Sequence, residues 1–386
     1  MTTEDPFSPP PQPEAPSSTT SPINTSQAKT SDLQSLLSRI ATVDDYECYC
    51  LVTELVHMAT NVKDFKSPSS QSVSTTSFLY DAGNLQGKCP ISLIYVVKRL
   101  LRGTASTCHR TRVNYATALY AILIEHGKLL PAQTILEWSQ TCLSTQDLYG
   151  SNKVNSTAGN SIDTGKLIAL KSLIHSHDIT LCATQLLTEI LKTWQKNENT
   201  CFLAQDLVAK VLDTLGADSG VALPLVQTFT KAWDSSCLQQ VALLLTISDA
   251  FERSKIKTQG YIPEVARIRD PVSFMPLIQS VDPNHMDRPK YLAFFSALLS
   301  TLLRKPFIPR TFLLAWQAIS DLCFSRIRLA LPILLHLVSL VINVHAIMDD
   351  ECFESVFSKN IVELMIYGSQ ELVILTKAVL LITDLI

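Results

Sequence analysis

Five cations crowd one short stretch of the chain: Lys98, Arg99, Arg102, Arg110 and Arg112, with Tyr95 and Tyr115 close by in sequence. At that density guanidinium and ammonium groups can hold phosphates or an acidic peptide, the Arg side chains as planar forks of donors and the Lys as a point charge. Three of the five also have a purely local explanation. Lys98, Arg99 and Arg102 fall in the last turn of an apolar helix pattern running from about Ile94, where cations meet the negative end of the helix dipole, and Gly103 is placed to close that helix as a left-handed residue. Ser106 or Thr107 then stands where it can cap a second helix, whose apolar positions Val113, Leu119, Ile122 and Leu123 fall near one side. The pattern is a helical hairpin with a basic turn. Aromatic residues on which bases could stack are sparse there, limited to Tyr95 and Tyr115.

Bond-breaking chemistry finds less support. The chain has no Gly-x-x-x-x-Gly-Lys-Ser phosphate loop, no Gly-x-Ser-x-Gly elbow and no His-Glu-x-x-His. Nucleotidyl transfer would need closely spaced carboxylates for paired metal ions. Tyr149-Gly150 and Tyr367-Gly368 are each followed by Ser instead, and Asp349-Asp350-Glu351 sits at an expected helix start that the dipole explains. His175 and His177 form the one close His pair, at an expected helix end where carbonyls are the natural partners. Of ten cysteines only Cys48 and Cys50 are neighbours, with no second pair at ligand spacing, so the cysteines read as small buried side chains in a reducing compartment. No metal, no cofactor and no enzymatic activity are expected.

The elements that must position these residues read as helix after helix. Of 386 residues 46% are hydrophobic and only 17% charged, which supplies a large core, and a net charge of −3 offers no overall attraction to nucleic acid or anionic membrane. Residues 1–31 are rich in Pro, Ser and Thr and read as a disordered arm without an export signal. A short helix is expected at Asp32 to Ile40 and a longer one at Asp44 to Val62, followed by a Ser- and Thr-dense insertion over residues 63–88 that reads as disordered. After the hairpin come Pro131 to Thr145, a polar loop from Gln146 to Ile162, and helices at Thr164 to His175, Ile179 to Lys196, Cys201 to Leu215, Gly220 to Trp233 and Ser236 to Arg253. Residues 255–288, with Pro263, Pro271, Pro276 and Pro283, form a bend. Residues 289–386 restore the pattern with helices at Arg288 to Leu303, Pro309 to Phe324, Ile327 to Met348, Asp350 to Tyr367 and Ser369 to Ile386. The last is apolar and uncapped, so the array reads as cut short. Units of about forty residues match irregular HEAT or armadillo pairs, and the expected fold is an all-α solenoid. The segment Ile327 to Met348 has the length to cross a bilayer, yet Pro332, His336, Asn343 and His345 favour an interior helix.

The Lys-Arg-Leu-x-Arg-Gly turn at Lys98 to Gly103, followed by the Tyr115-Ala-x-Ala-Leu119 helix, resembles the N-terminal region of the Myb-binding protein and DNA polymerase phi family. Gly165-Lys166-Leu167 through Leu170 and Leu173 is similar to that family's next helix, and the likeness covers roughly Asp44 to Leu215. The resemblance implies a nonenzymatic scaffold of nucleus and nucleolus, acting in transcriptional regulation and ribosome production. Its implied partners are transcription factors and ribosome-assembly factors, with DNA or rRNA-associated complexes left open and no membrane. A template-directed polymerase and a cytoplasmic or membrane-associated helical adaptor are the competing readings. The basic turn, Lys98 through Arg112, is the candidate contact surface.

Overall fold

The computed structural model describes residues 30–62, 85, 89–149, 156–215, 226, 237–254, 270–304 and 307–342, and among the described residues there are fourteen α-helices and no strand. Helices α1 (Thr30–Ile40) and α2 (Asp45–Ala59) precede α3 (Ile91–Gly103) and α4 (His109–His126). Then come α5 (Ala132–Cys142), the short α6 (Thr145–Tyr149), the long α7 (Ser156–Ser176), α8 (Ala183–Lys196) and α9 (Cys201–Leu215). The series ends with α10 (Leu238–Arg253), α11 (Pro271–Gln279), α12 (Pro289–Leu302), α13 (Pro309–Ser325) and α14 (Ile327–Ile342).

Local chemistry explains most of the starts. Asp44 caps α2 by accepting from the Glu47 N–H at 3.0 Å, and Asp270 caps α11 by accepting from Val272 N–H at 3.2 Å. Pro271, Pro289 and Pro309 open their helices in the first turn, where a missing N–H costs nothing. Pro131 is the cap residue of α5 rather than its first-turn residue.

A lone helix cannot bury its apolar stripe, and here the stripes meet in one continuous core that reaches from Leu33 to Leu337. Each fully buried Leu or Ile contributes roughly 1.5 to 3 kcal/mol of transfer free energy. A row of helices follows chain order through this core: α4 packs on α7, α7 on α9, α9 on α12 and α12 on α14. Others flank the row, α2 and α3 on α4, α5 on α7, α8 on α9, α10 on both α9 and α12, and α13 on α14.

Several expectations need correction. Gly103 does not take a left-handed conformation: it belongs to α3, and the following Thr104 is itself right-handed, with φ −64° and ψ −20°. The glycine is required because the Tyr115 ring from α4 lies where a side chain would begin. Neither Ser106 nor Thr107 is the cap of α4. That position is Cys108, whose side chain makes no capping bond, and the Ser106 hydroxyl accepts from the Cys108 N–H at 3.2 Å. The polar stretch from Gln146 contains α6 and the first two turns of α7, so Gly159 is helical. Thr30 and Ser31 belong to α1, not to the arm. The described part of the 255–288 bend holds α11, with Pro276 inside it, and a 3-10 turn at Pro283–His285. The expected helix at 220–233 apart from the buried Val226, those at 350–367 and 369–386, the Asp349-Asp350 run, and most of the arm and of the 63–88 insertion lie outside the described residues. Among the described residues no helix is long and apolar enough to cross a membrane.

Candidate functional site: the basic turn and a polar groove

The turn divides its five cations instead of gathering them. Lys98 and Arg102 stand one helical turn apart on α3 and face α5 and α6. Lys98 is buried, with Nζ 5.3 Å from the centre of the Trp138 ring. Arg102 is half-buried and forks onto Asp147 of α6, Nε to Oδ2 at 2.7 Å and Nη2 to Oδ1 at 3.3 Å. Burial pulls the Arg102 guanidinium down, and the hydrogen bond and charge of Asp147, with Cys142 nearby, more than offset it. The Cys142 thiol beside them is pushed up by its burial, against the pull of Arg102 and Lys98. Both cations therefore serve the joint between α3 and the α5–α6 pair.

Arg99 and Arg110 are exposed and Arg112 is half-exposed. Arg99 lies near the Tyr115 phenol, which burial pushes up while Arg99 opposes. These three remain accessible for contact with an anionic partner, whereas the converging patch of five does not form.

The two sequence motifs do meet. The turn after α3 lies against α7 at Gly165, where an added Cβ would come within 2.8 Å of the Ala105 backbone. The Thr104 hydroxyl is 2.7 Å from Leu101 O and 3.1 Å from Gly165 O. On the other side, α4 ties down the end of α1: Asn114 Nδ2 donates to Ile40 O at 2.8 Å and Val43 O at 3.0 Å, Thr111 Oγ1 to Ala41 O at 2.9 Å, and the Tyr115 hydroxyl to Leu37 O at 3.2 Å. The motif residues are joints of the fold. His177 follows the same logic: Nε2 donates to Leu130 O at 2.8 Å, which leaves Nδ1 to accept from Ser176 Oγ at 2.7 Å. His175 accepts from Lys210 Nζ at 2.8 Å. Cys50 and Cys108 are exposed, unlike most of the other described cysteines, and no cluster of metal-binding side chains is found among the described residues.

A second feature went unseen in the sequence. A groove of about 420 Å³ opens between α7, α9, α10, α12 and α14. Helix α12 contributes Ser296 and Ser300, spaced four apart and so on one face, and Arg304 follows just past its end, while Phe294, Phe295, Leu298 and Leu299 fill the core. Helix α9 contributes Gln205 and Asp206 beside the buried Leu207 and Val208, and α10 contributes Thr246 and Asp249. Gln205 is 8% exposed and its Oε1 has no hydrogen-bond partner among the described residues. Asp249 is paired with Arg253 and Arg304. Burial pulls the Arg304 guanidinium down to about 10, which still leaves it charged at neutral pH. On the rim Lys171 Nζ meets Asp206 Oδ2 at 3.2 Å. His336 of α14 takes the Phe202 ring edge-on at 5.1 Å, and burial lowers its pKa, so it is neutral near pH 7.

Ser296 Oγ lies 3.3 Å from His336 Nε2, the one nucleophile-and-base pairing in the groove. Its setting does not suit catalysis. The serine is buried mid-helix, and the nearby carboxylate Asp249 is engaged by two arginines, so nothing orients His336 as a base. The arrangement can hold a ligand by hydrogen bonds and apolar contact. The clue in the sequence was the four-residue polar spacing on α12, but only the packing of five helices shows that it faces Gln205 and His336. Compared with family models, curated proteins and solved structures, the chain finds no match in any of the three.

Proposed function

We propose that the chain is a nonenzymatic α-solenoid of irregular HEAT- or armadillo-like pairs that holds partner proteins along its length. The observation that supports this best is the row α4, α7, α9, α12 and α14, each packed on the next in chain order and flanked by intervening helices. Stacked helical pairs give that succession, since each unit hides its apolar face only against its neighbours. The sequence resemblance gives the setting: nucleus and nucleolus, with transcription factors and ribosome-assembly factors as partners. Exposed Arg99 and Arg110, with Arg112, supply a secondary contact for DNA or rRNA-associated complexes.

The test is affinity purification of the full-length protein from cells, with and without nuclease. Recovery of ribosome-assembly factors that survives nuclease is the expected result. Loss of every partner on nuclease treatment would make nucleic acid the bridge and overturn the scaffold reading.

A further inference from the structure

The groove between α7, α9, α10, α12 and α14 carries polar groups for which a closed interior has no use, and their hydrogen-bonding state limits what can enter. Gln205 is 8% exposed and keeps an Oε1 without a partner among the described residues. An apolar side chain of similar size would avoid that loss of stability. The hydroxyls of Thr246 and Thr301 donate to Ala242 O at 3.0 Å and Ala297 O at 2.8 Å, so what they offer the groove is lone pairs. Lys171 is paired with Asp206, and Arg304 with Asp249, which cancels the formal charge of the lining. Phe202 and Leu245 supply apolar surface. An anion would have to displace Asp206 or Asp249 from its partner, and a cation Lys171 or Arg304 from its partner. A neutral group that donates hydrogen bonds and carries apolar surface meets neither obstacle.

We propose that this groove takes a short extended segment of a partner protein, uncharged and apolar where it inserts, with backbone N–H groups turned to Gln205, Thr246 and Thr301. A peptide unit carries one donor and one acceptor, and the Gln205 amide carries the same two and can turn over about its last bond to present either. A cavity of about 420 Å³ lies in the range that accepts a ligand of a few residues' bulk. The inference rests on the scaffold reading and adds the chemistry of what is held.

Random short peptides displayed on phage and panned against the full-length chain are expected to return uncharged, apolar sequences, with the affinity of a selected peptide read by fluorescence anisotropy. Gln205→Leu and Thr301→Val, each checked for an unchanged circular dichroism spectrum, are expected to weaken that peptide about tenfold, as loss of a hydrogen bond to a buried group does. N-methylation of single backbone nitrogens is expected to abolish binding at the few positions that face these residues. A selection that returns no binders or acidic ones, indifference to both substitutions, indifference to N-methylation, or tightest binding by a peptide of this chain's own sequence overturns the inference. If the partners recovered from cells come down equally with Gln205→Leu and Thr301→Val, the groove inference fails and the scaffold reading stands. If the unaltered chain recovers no partner at all, the scaffold reading itself fails.

Discussion

His336 and Gly103 show how single residues report on their surroundings. Burial holds the His336 pKa below 6.5 in the folded protein, so the unfolded chain takes up the proton first as pH falls. The stability that the neutral imidazole contributes is thus fully present above about pH 6.5 and is lost as the solution is acidified below it. Urea midpoints measured from pH 8 down to pH 5 are expected to drop, and His336→Gln to flatten that drop. Some slope will persist, because burial and then Lys210 also lower His175. At Gly103 the expectation runs against helix propensity. Alanine is better in a helix by about 1 kcal/mol, yet its methyl would enter the Tyr115 ring. Overpacking of that kind costs roughly 1–3 kcal/mol, so Gly103→Ala should lower the denaturation midpoint, whereas Gly159→Ala, with open space around it, should raise it.

Helices were more legible than the contacts between them. The strong 3.6-residue stripes gave Cys201–Leu215 with both ends correct and the starts of α13 and α14 at Pro309 and Ile327. Local signals misled where composition resembled a loop: Ser156, Gly159, Asn160 and Ser161 hid the first turns of α7, because weak helix formers there are held by the burial of Ala158, Ser161 and Ile162 rather than by propensity. The hairpin of α3 and α4 was readable, but the duties of its cations were not, since Trp138 and Asp147 are distant in sequence from Lys98 and Arg102. Two variants separate the hairpin's structural joints from its exposed cations. Asn114→Leu leaves the carbonyls of Ile40 and Val43 without their donor, and its cost by chemical denaturation is expected at about 1–3 kcal/mol. Charge reversal at Arg99 and Arg110 should leave stability within about 0.5 kcal/mol, as exposed sites usually do, while lowering retention on a nucleic-acid column if that contact is used.

At the scale of the whole molecule, coupling between units is the property that the solenoid proposal commits to. In a stack of pairs each unit answers chiefly to its neighbours, so damage at one end leaves the other end nearly intact. Hydrogen exchange on Gly165→Ala is expected to show faster exchange in α3, α4 and α7, with α12 to α14 protected as before. Uniform acceleration everywhere would mean a single cooperative body and would count against stacked units. The candidate groove was invisible at this scale because its lining comes from five helices spread between Lys171 and Leu340. No window of sequence brings those residues together.

The mutual cancellation of Lys171, Arg304, Asp206 and Asp249 has a practical corollary. A ligand seated there displaces few counterions, so its dissociation constant ought to stay nearly flat as potassium chloride is raised. An attachment that runs through Arg99 and Arg110 ought to fade steeply over the same titration.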